Sequence, residues 1–64
     1  MTINDLELSE LTLIIRNAVE ACHMAQREGN YLDIIRQSSI IEDSARKIGW
    51  KAVDLEKRAR YLAS

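Results

Sequence analysis

The side chains in this sequence that are capable of chemistry are one thiol, one imidazole and a pair of neighbouring carboxylates. Cys22 and His23 are adjacent, and neighbours on a helix project about 100° apart, so the two do not form a nucleophile and its base. Glu42 and Asp43 are also adjacent, but no third group completes a site. One cysteine and one histidine do not supply the usual zinc ligand sets. The sequence therefore predicts no enzyme, no catalytic residue, no metal site and no cofactor.

Length and charge indicate the broad class of protein. The 64 residues suffice for one domain, and a core of this size is commonly supplemented by a partner subunit. The net charge of −1 argues against a general nucleic-acid binder. The first residues carry no basic stretch, and the apolar runs are too short to span a bilayer. We therefore expect a single cytoplasmic domain, residues 1–64, that does not engage a membrane.

The elements that would position these groups are predicted to be helices. The chain has no proline, and its two glycines, Gly29 and Gly49, stand where helices would end. Asn30 is placed to cap the helix that follows Gly29. Trp50 is expected to fold back over the end of the second helix, near Ala45. The result is an all-α, three-helix domain with helices over about 5–28, 31–48 and 51–63.

Each predicted helix has apolar or small residues at alternating steps of three and four, the spacing of a face that packs on other helices. In the first helix this stripe consists of Leu8, Leu11, Ile15, Ala18, Cys22 and Ala25. In the second helix it consists of Tyr31, Ile34, Ser38, Ile41, Ala45 and Ile48. The third helix places Ala52, Leu55, Ala59 and Leu62 on its inner face.

The first helix carries more apolar residues than one stripe requires. The additional residues are Leu6, Leu13, Ile14, Val19, Ala21 and Met24. Two short helices within the monomer are one way to cover so wide a surface, and a second copy of the chain is the other. We favour the second copy, because a small domain otherwise exposes a larger apolar patch than monomers usually tolerate. The sequence thus predicts a homodimer whose interface is the first-helix stripe, from Leu8 to Ala25.

The segment from Ser44 to Leu62 contains an alanine, a glycine four residues later, an apolar residue next and a leucine five beyond. These residues are Ala45, Gly49, Trp50 and Leu55. The pattern resembles the Fis-type helix-turn-helix at the C-terminus of bacterial enhancer-binding regulators. The resemblance covers about a third of the chain and implies a turn at Gly49 followed by a DNA-reading helix.

Two functions are compatible with these features. The first is a non-enzymatic regulatory module of the inhibitor or antirepressor kind, which acts as a homo-oligomer on a larger partner protein. The alternative is a dimeric DNA-binding regulator that uses the C-terminal helix-turn-helix. Its candidate DNA or anion contacts are Lys51, Lys57, Arg58 and Arg60. Ala52, Val53 and Asp54 stand where such regulators usually carry polar base-reading residues, and this favours the first function.

Overall fold

A computed structural model describes residues 3–63, with the side chains of residues 7–62. The chain forms two helices, α1 (Ile3–Glu28) and α2 (Tyr31–Ala63), that pack against each other as an antiparallel hairpin. The all-α prediction is confirmed, and the first helix begins and ends within two residues of its predicted bounds. The prediction of three helices is wrong, because the second and third are one helix of 33 residues.

The turn between the helices forms at Gly29 and Asn30. Gly29 has a φ of 69°, a left-handed conformation that glycine adopts without the strain of a Cβ atom. The Gly29 amide donates to the Gln26 carbonyl at 3.2 Å and the Asn30 amide donates to the Ala25 carbonyl at 2.8 Å. This pair of bonds is the Schellman ending of a helix. The Asn30 side-chain oxygen accepts from the Asp33 amide at 3.2 Å, which confirms Asn30 as the cap of α2.

The second predicted turn, at Gly49, does not form. α2 continues through Gly49 and Trp50 without a break, and Gly29 alone among the described glycines has a positive φ. A glycine inside a helix costs about 1 kcal/mol relative to alanine but does not force a turn. Here the packing of α2 on α1 continues on both sides of Gly49, with Ile48 and Lys51 half-buried, and it offsets that cost.

The side chains of the two helices meet along one line of contact, which we call the seam. Its α1 residues are Leu8, Leu11, Ile15, Ala18, Cys22 and Ala25, and its α2 residues are Ile34, Gln37, Ile41, Ser44, Ile48, Lys51 and Leu55. Both sets advance by alternating steps of three and four, the repeat of a two-stranded coiled coil. The seam is thin. Ala18 and Ala25, each 3% exposed, are the buried apolar side chains of the described part of the chain, and Ser44 is buried between the helices at 5% exposure.

The hairpin is long and narrow. It measures 53 × 19 × 11 Å and has a radius of gyration of 15.3 Å. A compact domain of the same length has a radius of gyration of about 11 Å. Two helices side by side enclose only one line of contact, so most of their circumference faces outward.

Candidate functional site

The side chains with catalytic potential do not converge. Cys22 lies in the seam, and its Sγ is 3.9 Å from the Ile34 carbonyl oxygen, whereas His23 is exposed. Asp43 is exposed and pairs with Lys47 at 2.9 Å, one turn further along the same helix. Over the residues described here, no three His, Cys, Asp or Glu side chains lie close enough together to hold a metal ion.

The six residues predicted as the oligomer interface all face α2 of the same chain. Ala18 and Ala25 are buried there, and the other four are half-buried. Leu8, Ile15 and Cys22 lie towards one side of the seam, while Leu11, Ala18 and Ala25 lie towards the other. A face that already packs within the hairpin is available to a second chain only along its open side.

The predicted stripe of α2 shares every second position with the observed one, and the intervening positions differ by one residue. Ile34, Ile41 and Ile48 lie in the seam as predicted, but Tyr31, Ser38 and Ala45 are exposed. The residues that take the intervening seam positions are the more polar Gln37, Ser44 and Lys51. Further along, Leu55 is half-buried in the seam, whereas Ala52, Ala59 and Leu62 are exposed. In α2, therefore, the more apolar of two neighbouring rows lies outside the hairpin contact.

One side of the seam carries no charge, and we call it the uncharged flank. It consists of the residues that directly follow Leu11, Ala18 and Ala25 in α1 and Gln37, Ser44 and Lys51 in α2. These residues are Thr12, Val19, Gln26, Ser38, Ala45 and Ala52. All six are exposed. In an antiparallel pair, these two rows project from the same side. Leu8, Ile15 and Cys22 open towards this flank, and so do the isoleucines of the α2 seam. This flank could have been found in the sequence, because the positions beside the stripe lack charged residues on both helices.

The opposite side of the seam, the charged flank, carries three acidic residues and one lysine among its seven members. Its members directly precede Leu8, Ile15 and Cys22 in α1 and Ile34, Ile41, Ile48 and Leu55 in α2. They are Glu7, Ile14, Ala21, Asp33, Ile40, Lys47 and Asp54. Here the ammonium group of Lys51 donates to the Glu7 carboxylate and ties the start of α1 to the middle of α2. The two flanks thus differ in charge, although each includes apolar side chains.

Several large apolar side chains also lie on the outer surfaces of the two helices, away from the seam. They are Leu13 and Met24 in α1, and Leu32, Ile35, Trp50, Val53 and Tyr61 in α2. Trp50 is 67% exposed, so it does not fold back over α2 as the sequence suggested. Surface depressions in the described chain, such as the one lined by Lys57, Arg58, Tyr61 and Leu62, are grooves on a single helix rather than enclosed cavities.

Three of the four predicted DNA contacts are in ion pairs. Lys51 pairs with Glu7, Arg58 pairs with Asp54 at 3.2 Å, and Arg60 pairs with Glu56 at 2.7 Å.

The four residues that carry the helix-turn-helix pattern also lie within one unbroken helix. Ala45, Gly49, Trp50 and Leu55 belong to α2, so no turn separates two helices there.

Neither described helix is long and apolar enough to cross a membrane. Comparison of the chain with family models, with curated proteins and with solved structures gave no match.

Proposed function

We propose that this chain is a non-enzymatic, cytoplasmic regulatory module that acts through protein–protein interaction and functions as a homodimer. One observation carries the association with other protein chains. The chain exposes 5273 Å², whereas a compact folded monomer of its 7.3 kDa mass exposes about 4,200 Å².

The excess surface matches what a dimer needs. It amounts to about 1,100 Å² per chain on this scale. If each of two chains buries that much, the interface totals about 2,200 Å², at the lower end of the range for obligate homodimers. The thin seam supports the same conclusion, because two buried alanines contribute little hydrophobic free energy to an isolated hairpin.

The surface also offers a place for a larger partner protein. Trp50 and Val53 lie one turn apart on the outer side of α2 and are 67% and 53% exposed. Helical interaction modules commonly present such anchors to a groove on the partner. Because these side chains point away from the seam, self-association along the seam leaves them accessible.

The alternative proposal, a DNA-binding dimer, has less support. In its favour, Lys57, Arg58 and Arg60 are exposed near the end of α2. Against it, Arg58 and Arg60 share their charge with Asp54 and Glu56, and phosphate binding would have to compete with those pairs.

The test is the mass of the protein in solution. Sedimentation equilibrium over a wide concentration range is expected to give twice the chain mass at high concentration. The melting temperature is expected to rise with concentration, because an oligomer is stabilised by mass action. A chain that sediments as a monomer at every concentration and melts at a constant temperature would contradict the proposal.

A further inference from the structure

The uncharged flank stands out against the composition of the whole chain. Charged residues make up 30% of the sequence, yet the two rows of the flank contain none. One helical position beyond the α1 row lie the charged Arg16 and the polar His23, and the corresponding charged side chains beside the α2 row are Glu42 and Glu56. A charge-free strip bounded by polar and charged residues is the pattern of an interface core with a polar rim.

Thr12, one of the polar members of the strip, is compatible with burial. The Thr12 hydroxyl donates to the Leu8 carbonyl of its own helix at 2.9 Å, so burying Thr12 would not strand a donor. Ala45, Ala52 and Ser38 are small and leave room for another helix to approach closely. Val19, which is 52% exposed, is the large apolar side chain that would contribute most on α1.

The arrangement of α2 indicates that the strip is covered. Its more apolar row, with Ala45 and Ala52, lies outside the seam, while Gln37, Ser44 and Lys51 face α1. Packing that leaves the more apolar row in water is unfavourable by itself. The mismatch disappears if a further helical layer packs on the same side, because both rows then belong to the core.

The area argument favours a second copy of the chain as the occupant of the flank. The excess of about 1,100 Å² is of the size that one subunit buries in a homodimer. A two-fold axis places the uncharged rows of one hairpin against those of the other, with no unpaired charge between them. Pairing through the charged flank would instead place Glu7, Asp33 and Asp54 in the contact, and burying such charges is costly.

We infer that two copies pack through the uncharged flank and form a four-helix bundle. Its interface contains Thr12, Val19 and Gln26 of α1, Ser38, Ala45 and Ala52 of α2, and the open side of Leu8, Ile15 and Cys22 between them. The inference rests on the homodimer proposed above and specifies the face that forms it.

A matched pair of substitutions tests which flank is used. Val19→Glu changes the uncharged flank, and Ile14→Glu changes the charged flank. Both replace a β-branched residue of α1 by a good helix former, and the two side chains are similarly exposed, at 52% and 43%. Val19→Glu is expected to raise the dissociation constant by about a hundredfold or more, because it buries an unpaired charge. Ile14→Glu is expected to leave it nearly unchanged, with the same helical content by circular dichroism.

The native thiol gives a readout that needs no variant. Cys22 opens towards the uncharged flank and is half-buried in the hairpin. Its maleimide labelling is expected to slow on the order of tenfold as the concentration rises through the dissociation constant, since labelling then requires the dimer to open. In Val19→Glu, labelling is expected to stay fast throughout.

The outcomes separate the face from the dimer. A parent protein that is monomeric at every concentration would overturn both the proposed function and this inference. If the dimer persists in Val19→Glu, the uncharged flank is not the interface, although the homodimer remains. The same conclusion follows if Cys22 is labelled at the same rate in the monomer and in the dimer. If both variants lose their helical structure, the labelling of the parent protein decides.

Discussion

The small side chains of the seam determine how closely the two helices approach. Among the residues whose side chains the structure describes, Ala18 and Ala25 of α1 and Ser44 of α2 are the most buried. Side chains of this size let two backbones lie close together but bury little apolar surface. The seam therefore contributes little hydrophobic free energy to the hairpin, which is why its half-buried leucines and isoleucines are expected to gain from a second layer.

The exposure of Trp50 shows whether α2 continues as a helix past Gly49. Trp50 is the only tryptophan in the sequence, and its side chain is 67% exposed on the outer surface. We predict strong acrylamide quenching of its fluorescence that is the same in the parent dimer and in Val19→Glu. An indole shielded from the quencher would contradict the structure and support the fold-back of Trp50 expected from the sequence. Shielding that appears only in the dimer would place Trp50 in the interface.

At the scale of the elements, the two glycines play opposite parts. Gly29 ends α1 in a left-handed conformation, whereas Gly49 lies inside α2, where a Cβ atom would meet nothing within 4 Å. The first position requires glycine, and the second tolerates it.

Alanine at each glycine tests this difference. Gly49→Ala is expected to increase the free energy of unfolding by about 0.5–1 kcal/mol, because alanine is the better helix former and has space there. Gly29→Ala is the contrasting control and is expected to decrease it by about 1–2 kcal/mol, because of the left-handed φ. Urea denaturation measures both. If Gly49→Ala were the destabilising change, a turn at Gly49 and three helices would be the better description.

At the scale of the whole molecule, surface area and charge both favour a protein partner over a nucleic acid. The hairpin exposes far more area than a compact monomer of its mass, and the net charge of the chain is −1. Phosphate recognition usually requires a concentrated positive surface. Here acidic partners one turn away pair with Lys47, Arg58 and Arg60.

A gel-shift assay on generic duplex DNA tests the alternative function. We expect no retarded complex at physiological ionic strength, because three of the four candidate contacts already have acidic partners. A complex that weakens steeply as salt is added would contradict this, since counterion release makes phosphate binding salt-dependent. In that case, replacing Lys57 and Arg60 by glutamine should reduce the salt dependence.

Much of the secondary structure follows from the sequence alone. The absence of proline and the three-four spacing of apolar residues predict helices throughout. Gly29 followed by Asn30 predicts the end of α1 and the cap of α2, since these depend on local backbone chemistry. The α1 stripe from Leu8 to Ala25 can likewise be predicted from the sequence, because every residue in it is apolar or small.

Only the tertiary structure decided which rows of α2 meet α1 and whether Gly49 ends a helix. Ser38 and Gln37 both stand between Ile34 and Ile41 at a spacing of three or four residues. The prediction from sequence chose the face with Ser38, because that face is the more apolar along α2. The hairpin brings Gln37, Ser44 and Lys51 into the seam instead, because the register of two antiparallel helices is a property of the pair. Gly49 remains helical for the same reason: contacts with α1 on both sides of it outweigh a local preference of about 1 kcal/mol.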